Sequence, residues 1–320
     1  MAWKLAQCIQ DDGQDRYAIR HELAAGLLAA HAHVSPKYLY DVLGSKLFEA
    51  ICELPEYYPT RTEEAIFQEH AADIARSAGR GMTLVDLGAG NCAKAARLFP
   101  ALRPERYVAL DISAEFLRDA VARLQERFPR IEMTALGMDF SAALDLPEAI
   151  GLSRRLFFYP GSSIGNFSPE EAGAFLRRVR AACGPDGGIL AGVDLVKDGT
   201  VLDAAYDDAL GVTASFNLNL LSHVNRLLES DFNLRCWRHR GFFNPRESRV
   251  EMHLEAREDQ LVRWPGGERR FARGERIHTE NSYKYTRQGF ITLLRESGFG
   301  ETRCWTDPDG WFLVCHAHAV

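Results

Sequence analysis

From residue 84 onward the chain alternates between short apolar runs and longer stretches in which apolar side chains recur every three or four positions. The short runs at 84–87, 108–110, 155–159 and 189–195 predict strands. The run Arg155-Leu-Phe-Phe-Tyr159 shows no polar alternation, which predicts a parallel strand buried on both faces. Helical spacing begins at Thr62, continues through Ile74 and resumes over 93–99. Behind Ser113, the expected N-cap, Phe116, Leu117, Ala120, Val121, Leu124 and Phe128 form one apolar stripe. Ser168-Pro-Glu-Glu171 has the form of a capping box with proline at the first helical position. It opens a helix predicted to reach Cys183, and a turn is predicted at 184–188. This alternation predicts an α/β fold with a parallel sheet covered by helices on both faces.

The alternation stops near residue 197. A long helical stretch is predicted from Asp203 to about Leu228, then short strand-like runs, of which 249–255 alternates with period two. This block reads as an inserted subdomain. After it a helix is predicted over 286–297, and the runs 303–306 and 311–318 flank the turn Asp307-Pro-Asp-Gly310, predicting a hairpin with an antiparallel edge. The expected organisation is one domain from 60–197 and 285–320, and a second, substrate-binding domain from 1–59 and 198–284.

The most informative chemistry lies where the first strand ends. Leu84-Val-Asp-Leu-Gly-Ala-Gly-Asn-Cys-Ala-Lys94 runs from a strand through a Gly-x-Gly turn into a helix, so Gly88 and Gly90 let the backbone approach a nucleotide. The next strand ends at Asp111, a carboxylate suited to both ribose hydroxyls. Gly88-x-Gly90-x-x-Ala93 also satisfies a loose dinucleotide fingerprint, so the turn alone leaves NAD and S-adenosylmethionine (SAM) open. Two features favour SAM: Asp86, two places before the first glycine, and a third element ending in Met138-Asp139-Phe140, an acid–aromatic pair suited to the amine and face of adenine. An antiparallel edge hairpin is also a feature of class I SAM methyltransferases.

Composition narrows the field only modestly. A chain of 320 residues suits a domain plus a sizeable insertion, and its net charge of −6 argues against a nucleic-acid substrate. Seven cysteines without a Cys-x-x-Cys pair read as scattered reduced thiols. No apolar run approaches a membrane span, and the first residues lack the apolar stretch of a signal peptide, so a cytoplasmic protein is expected. His31-Ala-His33 and His316-Ala-His318 lack a third convergent ligand, and no metal is expected.

Outside the glycine turn, further segments stand out. They are Leu-Pro-Glu-Tyr-Tyr-Pro-Thr-Arg at 54–61, Gly161-Ser-Ser-Ile-Gly-Asn166, Tyr-Asp-Asp-Ala-x-Gly-Val-Thr-Ala at 206–214, Phe-Asn-Leu-Asn at 216–219 and Trp-Thr-Asp-Pro at 305–308. On these runs the chain, from about Ser35 to its end, resembles the histidine-specific Nα-methyltransferases of ergothioneine biosynthesis. That resemblance implies a class I SAM-methyltransferase sheet, SAM as methyl donor and L-histidine as acceptor, trimethylated to hercynine by a monomer without metal.

The resemblance also implies roles. Asn166 and Tyr206 would hold the substrate carboxylate, and Gly161 and Tyr57 would line the amino-acid pocket. Tyr40 would stand near the amine, and it and Tyr57 would face the growing cation. Glu280 and Ser282 would bind the imidazole, with Met252 packing on the ring. Gly88, Gly90, Lys94, Asp111, Asp139 and Phe140 would hold SAM. Elementary chemistry agrees, because a carboxylate accepts an imidazole N–H that an apolar side chain cannot. Asn281 is polar where an apolar residue is expected between Glu280 and Ser282. No residue identifies the base, and a tyrosine-ordered water relay is expected. The nearest rival is a SAM-dependent N-methyltransferase of another amino acid or aromatic amine. A macromolecular methyltransferase, a silent SAM-binding module and a dehydrogenase each fit fewer of these features.

Overall fold

The computed structural model describes residues 7–10, 16–141, 143–184 and 186–320. Residues 1–6, the side chain of Cys8, and Pro185 in the expected turn lie outside the described residues. In chain order the first elements are β1 (Gln7–Gln10), α1 (Arg16–Leu28), α2 (Val42–Cys52), α3 (Tyr58–Ala78), β2 (Thr83–Leu87), α4 (Ala93–Leu102), β3 (Arg106–Asp111) and α5 (Ala114–Arg127). Then come β4 (Glu132–Gly137), β5 (Arg155–Tyr159), α6 (Pro169–Cys183), β6 (Gly188–Asp194), α7 (Gly199–Tyr206) and α8 (Val212–Leu228). The last are β7 (Trp237–Asn244), β8 (Arg249–Ala256), β9 (Gln260–Trp264), β10 (Gly267–Phe271), β11 (Arg276–Tyr283), α9 (Arg287–Glu296), β12 (Phe299–Thr306) and β13 (Phe312–Ala319).

The chain divides into two compact units. Among the described residues, unit 1 holds 7–10, 59–196 and 284–320, and unit 2 holds 16–58 and 197–283. The sheet of unit 1 has the order β1-β4-β3-β2-β5-β6-β13-β12. Neighbours from β1 to β6 pair in parallel, while β13 runs antiparallel to both β6 and β12. Leaving out β1, this is the seven-strand class I SAM-methyltransferase arrangement with one reversed strand near the edge. The sequence reading has no counterpart to β1 and assigns 1–59 wholly to the other domain, whereas Gln7–Gln10 pairs with β4.

Period-two alternation explains why one sheet supports two cores. Leu84, Tyr107, Ala109, Met133, Leu156 and Phe158 point to one face and pack with residues of α3, α4 and α5. Val85, Val108, Leu110, Leu136, Phe157 and Tyr159 point to the other and pack with residues of α6 and α9. Every residue of β5 is buried, as its unbroken apolar run requires. At α6 the capping box is complete: the Glu171 N–H donates to Ser168 Oγ at 3.3 Å and the Ser168 N–H to Glu171 Oε2 at 2.9 Å. In the terminal hairpin, Asp307 Oδ1 accepts the N–H groups of Trp311 and Phe312 at 2.9 and 2.7 Å, which fixes the turn. Across that hairpin Cys304 lies opposite Cys315, with the two free thiols 2.9 Å apart.

Three expectations need correction. Helix α3 begins at Tyr58 rather than Thr62, because a proline at the start of a helix removes only an N–H that has no intrahelical acceptor. Ser113 occupies the N-cap position of α5 without a side-chain cap bond; its own N–H donates to Asp111 Oδ1 at 2.9 Å. The single helix expected over 203–228 is two helices. Gly211 turns left-handed at φ 75°, and Asp208 restarts the helix by accepting from the N–H groups of Val212 and Thr213 at 3.0 and 2.7 Å.

Unit 2 contains α1, α2, α7 and α8, the antiparallel sheet β11-β8-β7 and the hairpin β9-β10. Trp237 anchors its aromatic core, with its ring centroid 5.1 Å from that of Phe271 and 5.6 Å from that of Phe232. Among the described residues, no helix is long and apolar enough to cross a membrane.

Candidate active site

The residues expected to hold the cofactor, with Gly161 and Asn166, belong to unit 1. At the end of β2 the chain turns through Gly88 (φ 73°) and Gly90 (φ 51°) into α4. The N–H groups of Gly88 and Ala89 donate to the Leu110 carbonyl at 2.9 Å, which ties the turn to the end of β3. Asp111 completes this tie, because Oδ2 accepts from the Gly90 N–H and Oδ1 from the Ser113 N–H, both at 2.9 Å. Burial raises the Asp111 pKa, and the N–H groups of Ser113, Gly90 and Ile112 oppose that rise. With three of its about four lone-pair sites taken by backbone N–H groups, the carboxylate keeps acceptor capacity for the ribose. A Cβ on Gly88 would lie 3.7 Å from the Phe140 ring, so the aromatic residue after β4 reaches the turn as expected. Asp139 Oδ1 accepts from the N–H of Ser141 at 3.0 Å.

Beneath the turn, burial pushes Asp86 up to about 7, opposed by the Tyr107 hydroxyl, which donates to it at 2.6 Å. Glu63 on α3 is 1% exposed and was not singled out from the sequence. Its Oε2 accepts from Lys94 Nζ at 2.7 Å, and its Oε1 accepts from the Gly161 N–H at 2.7 Å. This one carboxylate therefore holds the expected cofactor lysine and the loop after β5. The same loop runs through Ser162 (φ 59°) into the single helical turn Ser163–Asn166, where Asn166 is half-buried. Ser162 Oγ accepts the Asp194 N–H at 2.9 Å, and the Asp194 carboxylate pairs with Lys284 at 2.9 Å, both side chains at most 1% exposed.

These groups fit SAM. The turn presents backbone without a Cβ atom at Gly88 and Gly90, Asp111 retains acceptor capacity, Phe140 offers an apolar ring face, and Lys94 supplies a cation. Among the described residues, neither histidine pair belongs to a group of three or more His, Cys, Asp or Glu placed to hold a metal ion. His316 Nδ1 is instead 2.7 Å from the Ser77 hydroxyl, and His33 Nδ1 is 3.2 Å from the His31 carbonyl.

Tyr40, Tyr57, Tyr206, Met252, Glu280 and Ser282 belong to unit 2, where most of them are brought together. The Tyr206 hydroxyl donates to Ser282 Oγ at 2.8 Å, and the rings of Tyr57 and Tyr206 meet edge-to-face at 6.1 Å. Glu280 is directly opposite Met252 in the β11–β8 ladder, and both are buried. A β-bulge makes this possible. His278 pairs with His253 and Glu280 pairs with Met252, leaving Thr279 as an extra residue whose hydroxyl donates to the Met252 carbonyl at 3.0 Å. Ile277, Glu280 and Ser282 thereby share the face of Leu254, Met252 and Val250. Asn281, opposite Glu251, points to the other face from Glu280 and Ser282.

Two aromatic residues missed by the sequence reading complete the group. Tyr40 packs edge-to-face on Phe48 at 5.6 Å and on Phe216 at 5.5 Å, and Phe48 packs on Tyr57 at 6.1 Å. Phe216 opens the 216–219 run, a signal that was present; Phe48 lies in no run singled out. Burial first, then Tyr206, Cys52, Tyr40 and Glu280, raise the pKa of Tyr57 far above that of an ordinary phenol. Tyr57 is thus a neutral hydroxyl and not a phenolate base at neutral pH.

Comparison with known proteins shows the family of the chain. The family described as "Histidine-specific methyltransferase, SAM-dependent" matches residues 19–319. The histidine N-alpha-methyltransferase of Mycolicibacterium smegmatis is 42% identical over 92% of this chain and 93% of its own length. The protein of the same name from Mycobacterium tuberculosis is 39% identical over 92% and 93%. Ergothioneine biosynthesis protein 1 of Neurospora crassa is 30% identical over 84% of this chain and 31% of its own length. With its glycine turn, its mostly parallel eight-stranded sheet and a family match along nearly its whole length, the chain belongs to the histidine-specific, SAM-dependent methyltransferases.

Proposed function

We propose that the chain transfers three methyl groups in succession to the α-amino nitrogen of L-histidine, giving hercynine as the first step of ergothioneine biosynthesis. The names of the relatives support the substrate and the pathway. The observation that bears most weight is the bulge at Thr279, which turns Glu280 and Ser282 onto the face of Met252. In this reading Glu280 accepts an imidazole N–H, Ser282 adds a polar contact, and Met252 packs on the ring. Asn166 and Tyr206 are assigned to the carboxylate as neutral donors, the Tyr206 hydroxyl turning its one proton from Ser282 to the substrate and accepting from the Ser282 hydroxyl instead, and Gly161 and Tyr57 are assigned to the amino-acid pocket.

Bound SAM supplies a methyl group already activated on a sulfonium. The residues of the chain supply position. The backbone at Gly88 and Gly90 leaves room for the nucleoside, Asp111 accepts the ribose hydroxyls, Asp139 accepts the adenine amine, Phe140 covers the base, and Lys94 steadies the amino-acid end. The acceptor nitrogen must present a lone pair, so its ammonium proton leaves first. Tyr57 stays protonated, so the proton passes to solvent through water ordered by Tyr40 and Tyr57. Alignment of the neutral amine accounts for most of the acceleration. The rings of Tyr40 and Tyr57 stabilise the cation that builds up by ~0.5–2 kcal/mol. The reaction ends at the third methyl because a quaternary nitrogen has no lone pair.

The test is to locate the methyl groups. Fragmentation of the product formed from L-histidine and SAM is expected to place all three on the α-nitrogen. Methylation of an imidazole nitrogen would overturn the reading.

A further inference from the structure

Asn217, inside the 216–219 run, has no role in the reading so far. It is 0% exposed on α8, and its Nδ2 lies 3.1 Å from the carbonyl oxygen of His253 and 2.9 Å from Nδ1 of His239. A carbonyl oxygen only accepts, so it decides that the amide nitrogen faces this way. Nδ1 of His239 is therefore the acceptor, and the ring proton sits on Nε2. That nitrogen lies 2.8 Å from the carbonyl oxygen of Tyr206 and donates to it.

Tyr206 is the last residue of α7, where a helix leaves carbonyls without intrahelical donors. His239 fills that need from strand β7, which approaches closely because residue 241 is glycine. A Cβ there would lie 2.4 Å from the Tyr206 oxygen and 3.0 Å from His239 Nε2. Burial lowers the His239 pKa and favours the neutral ring; Asp207 and Asp208 act in the opposite sense, and Arg240 adds to the lowering. Tyr206 is thus held at both ends, its backbone by His239 and its hydroxyl by Ser282.

We infer that His239 is a positioning residue for the substrate carboxylate: it aims Tyr206 through the backbone, and Asn217 sets the tautomer that lets it do so. This rests on the proposed role of Tyr206 as a carboxylate anchor. Glutamine can bring an amide N–H to the place of Nε2, whereas asparagine reaches only the place of Nδ1.

The experiment compares Tyr206→Phe, His239→Leu, His239→Gln and His239→Asn in the full chain. The readouts are KM and kcat for L-histidine and calorimetric SAM affinity. His239→Leu and His239→Asn are expected to raise KM about tenfold, the scale of one lost buried hydrogen bond, with kcat and SAM affinity little changed. His239→Gln is expected to recover most of that loss. If Tyr206→Phe raises KM but the Asn and Gln variants are indistinguishable, the positioning role is wrong and the anchor stands. If Tyr206→Phe leaves KM unchanged, the anchor reading itself fails. Should His239→Leu not fold, the Gln and Asn pair makes the same decision.

Discussion

Glu280 faces Met252 across two strands only because Thr279 is one residue more than strict alternation allows. Without the bulge, Ile277 would share its face with residues 279 and 281, and Glu280 and Ser282 would point the other way. A one-residue slip moves a whole set of side chains between faces. Deleting Thr279 is therefore expected to impair histidine turnover at least as severely as Glu280→Ala. That single substitution removes an acceptor from a buried ring N–H, costing ~1–3 kcal/mol, or about one to two orders of magnitude in kcat/KM. Competition between histidine and tryptophan should also show a narrowed preference. A Glu280→Ala enzyme with its full preference for histidine would place imidazole recognition elsewhere.

Asp111 has two tasks, and they separate by substitution. Its oxygens tie down the Gly90 and Ser113 N–H groups, and the acceptor capacity left over is assigned to the ribose. Asp111→Ala should weaken SAM binding by ~1–3 kcal/mol, with histidine affinity in the absence of SAM little changed. Asp111→Asn keeps one acceptor oxygen and should lose less. Calorimetry that finds SAM affinity unchanged in both variants would remove Asp111 from the cradle.

The Asp194–Lys284 pair is buried at both ends. Removing only the cation leaves a carboxylate in an apolar interior, so Lys284→Met is expected to cost about 3–5 kcal/mol of stability. The double variant Asp194→Leu/Lys284→Met should be markedly less destabilised than Lys284→Met alone. Denaturant unfolding that shows additive losses would contradict the pairing.

Acid sensitivity has an identifiable contributor in unit 1. Burial first, then His318 and Arg303, lower His316 from 6.5 to about 3. Below pH 6.5 the unfolded chain takes up a proton that the folded chain refuses, so stability is lost as pH falls from about 6.5 to about 3. The slope is on the order of 1 kcal/mol per pH unit. His316→Asn, which can keep an acceptor toward Ser77, should flatten unfolding free energy across that window. An unchanged slope would contradict the assignment.

How much of this was legible in the sequence depends on whether the signal is local. The sheet, the glycine turn and the capping box at Ser168 follow from periodicity and backbone requirements within a few residues, and the chain forms them accordingly. The break between α7 and α8 was also written locally, in Asp208 and Gly211, but was masked by apolar spacing that continues through it. Glu63 was not legible, because a glutamate beside Glu64 at the start of a helix reads as solvated until Lys94 and the Gly161 N–H are brought to it. The bulge was hidden for a related reason: period-two alternation assigns faces only while the register is unbroken, and Thr279 breaks it. The tie between Asn217 and Tyr206 runs through His239, which no sequence spacing connects to either.

The central claim is trimethylation of histidine, and a substrate panel tests it most directly. The protein is incubated with SAM and, separately, with each of the twenty amino acids and with histamine, and mass increments are followed over time. The account predicts successive gains of one, two and three methyl groups for L-histidine, accumulation of the third, and little conversion of histamine, which lacks the carboxylate. Rapid methylation of a different amino acid with histidine left unconsumed would contradict it.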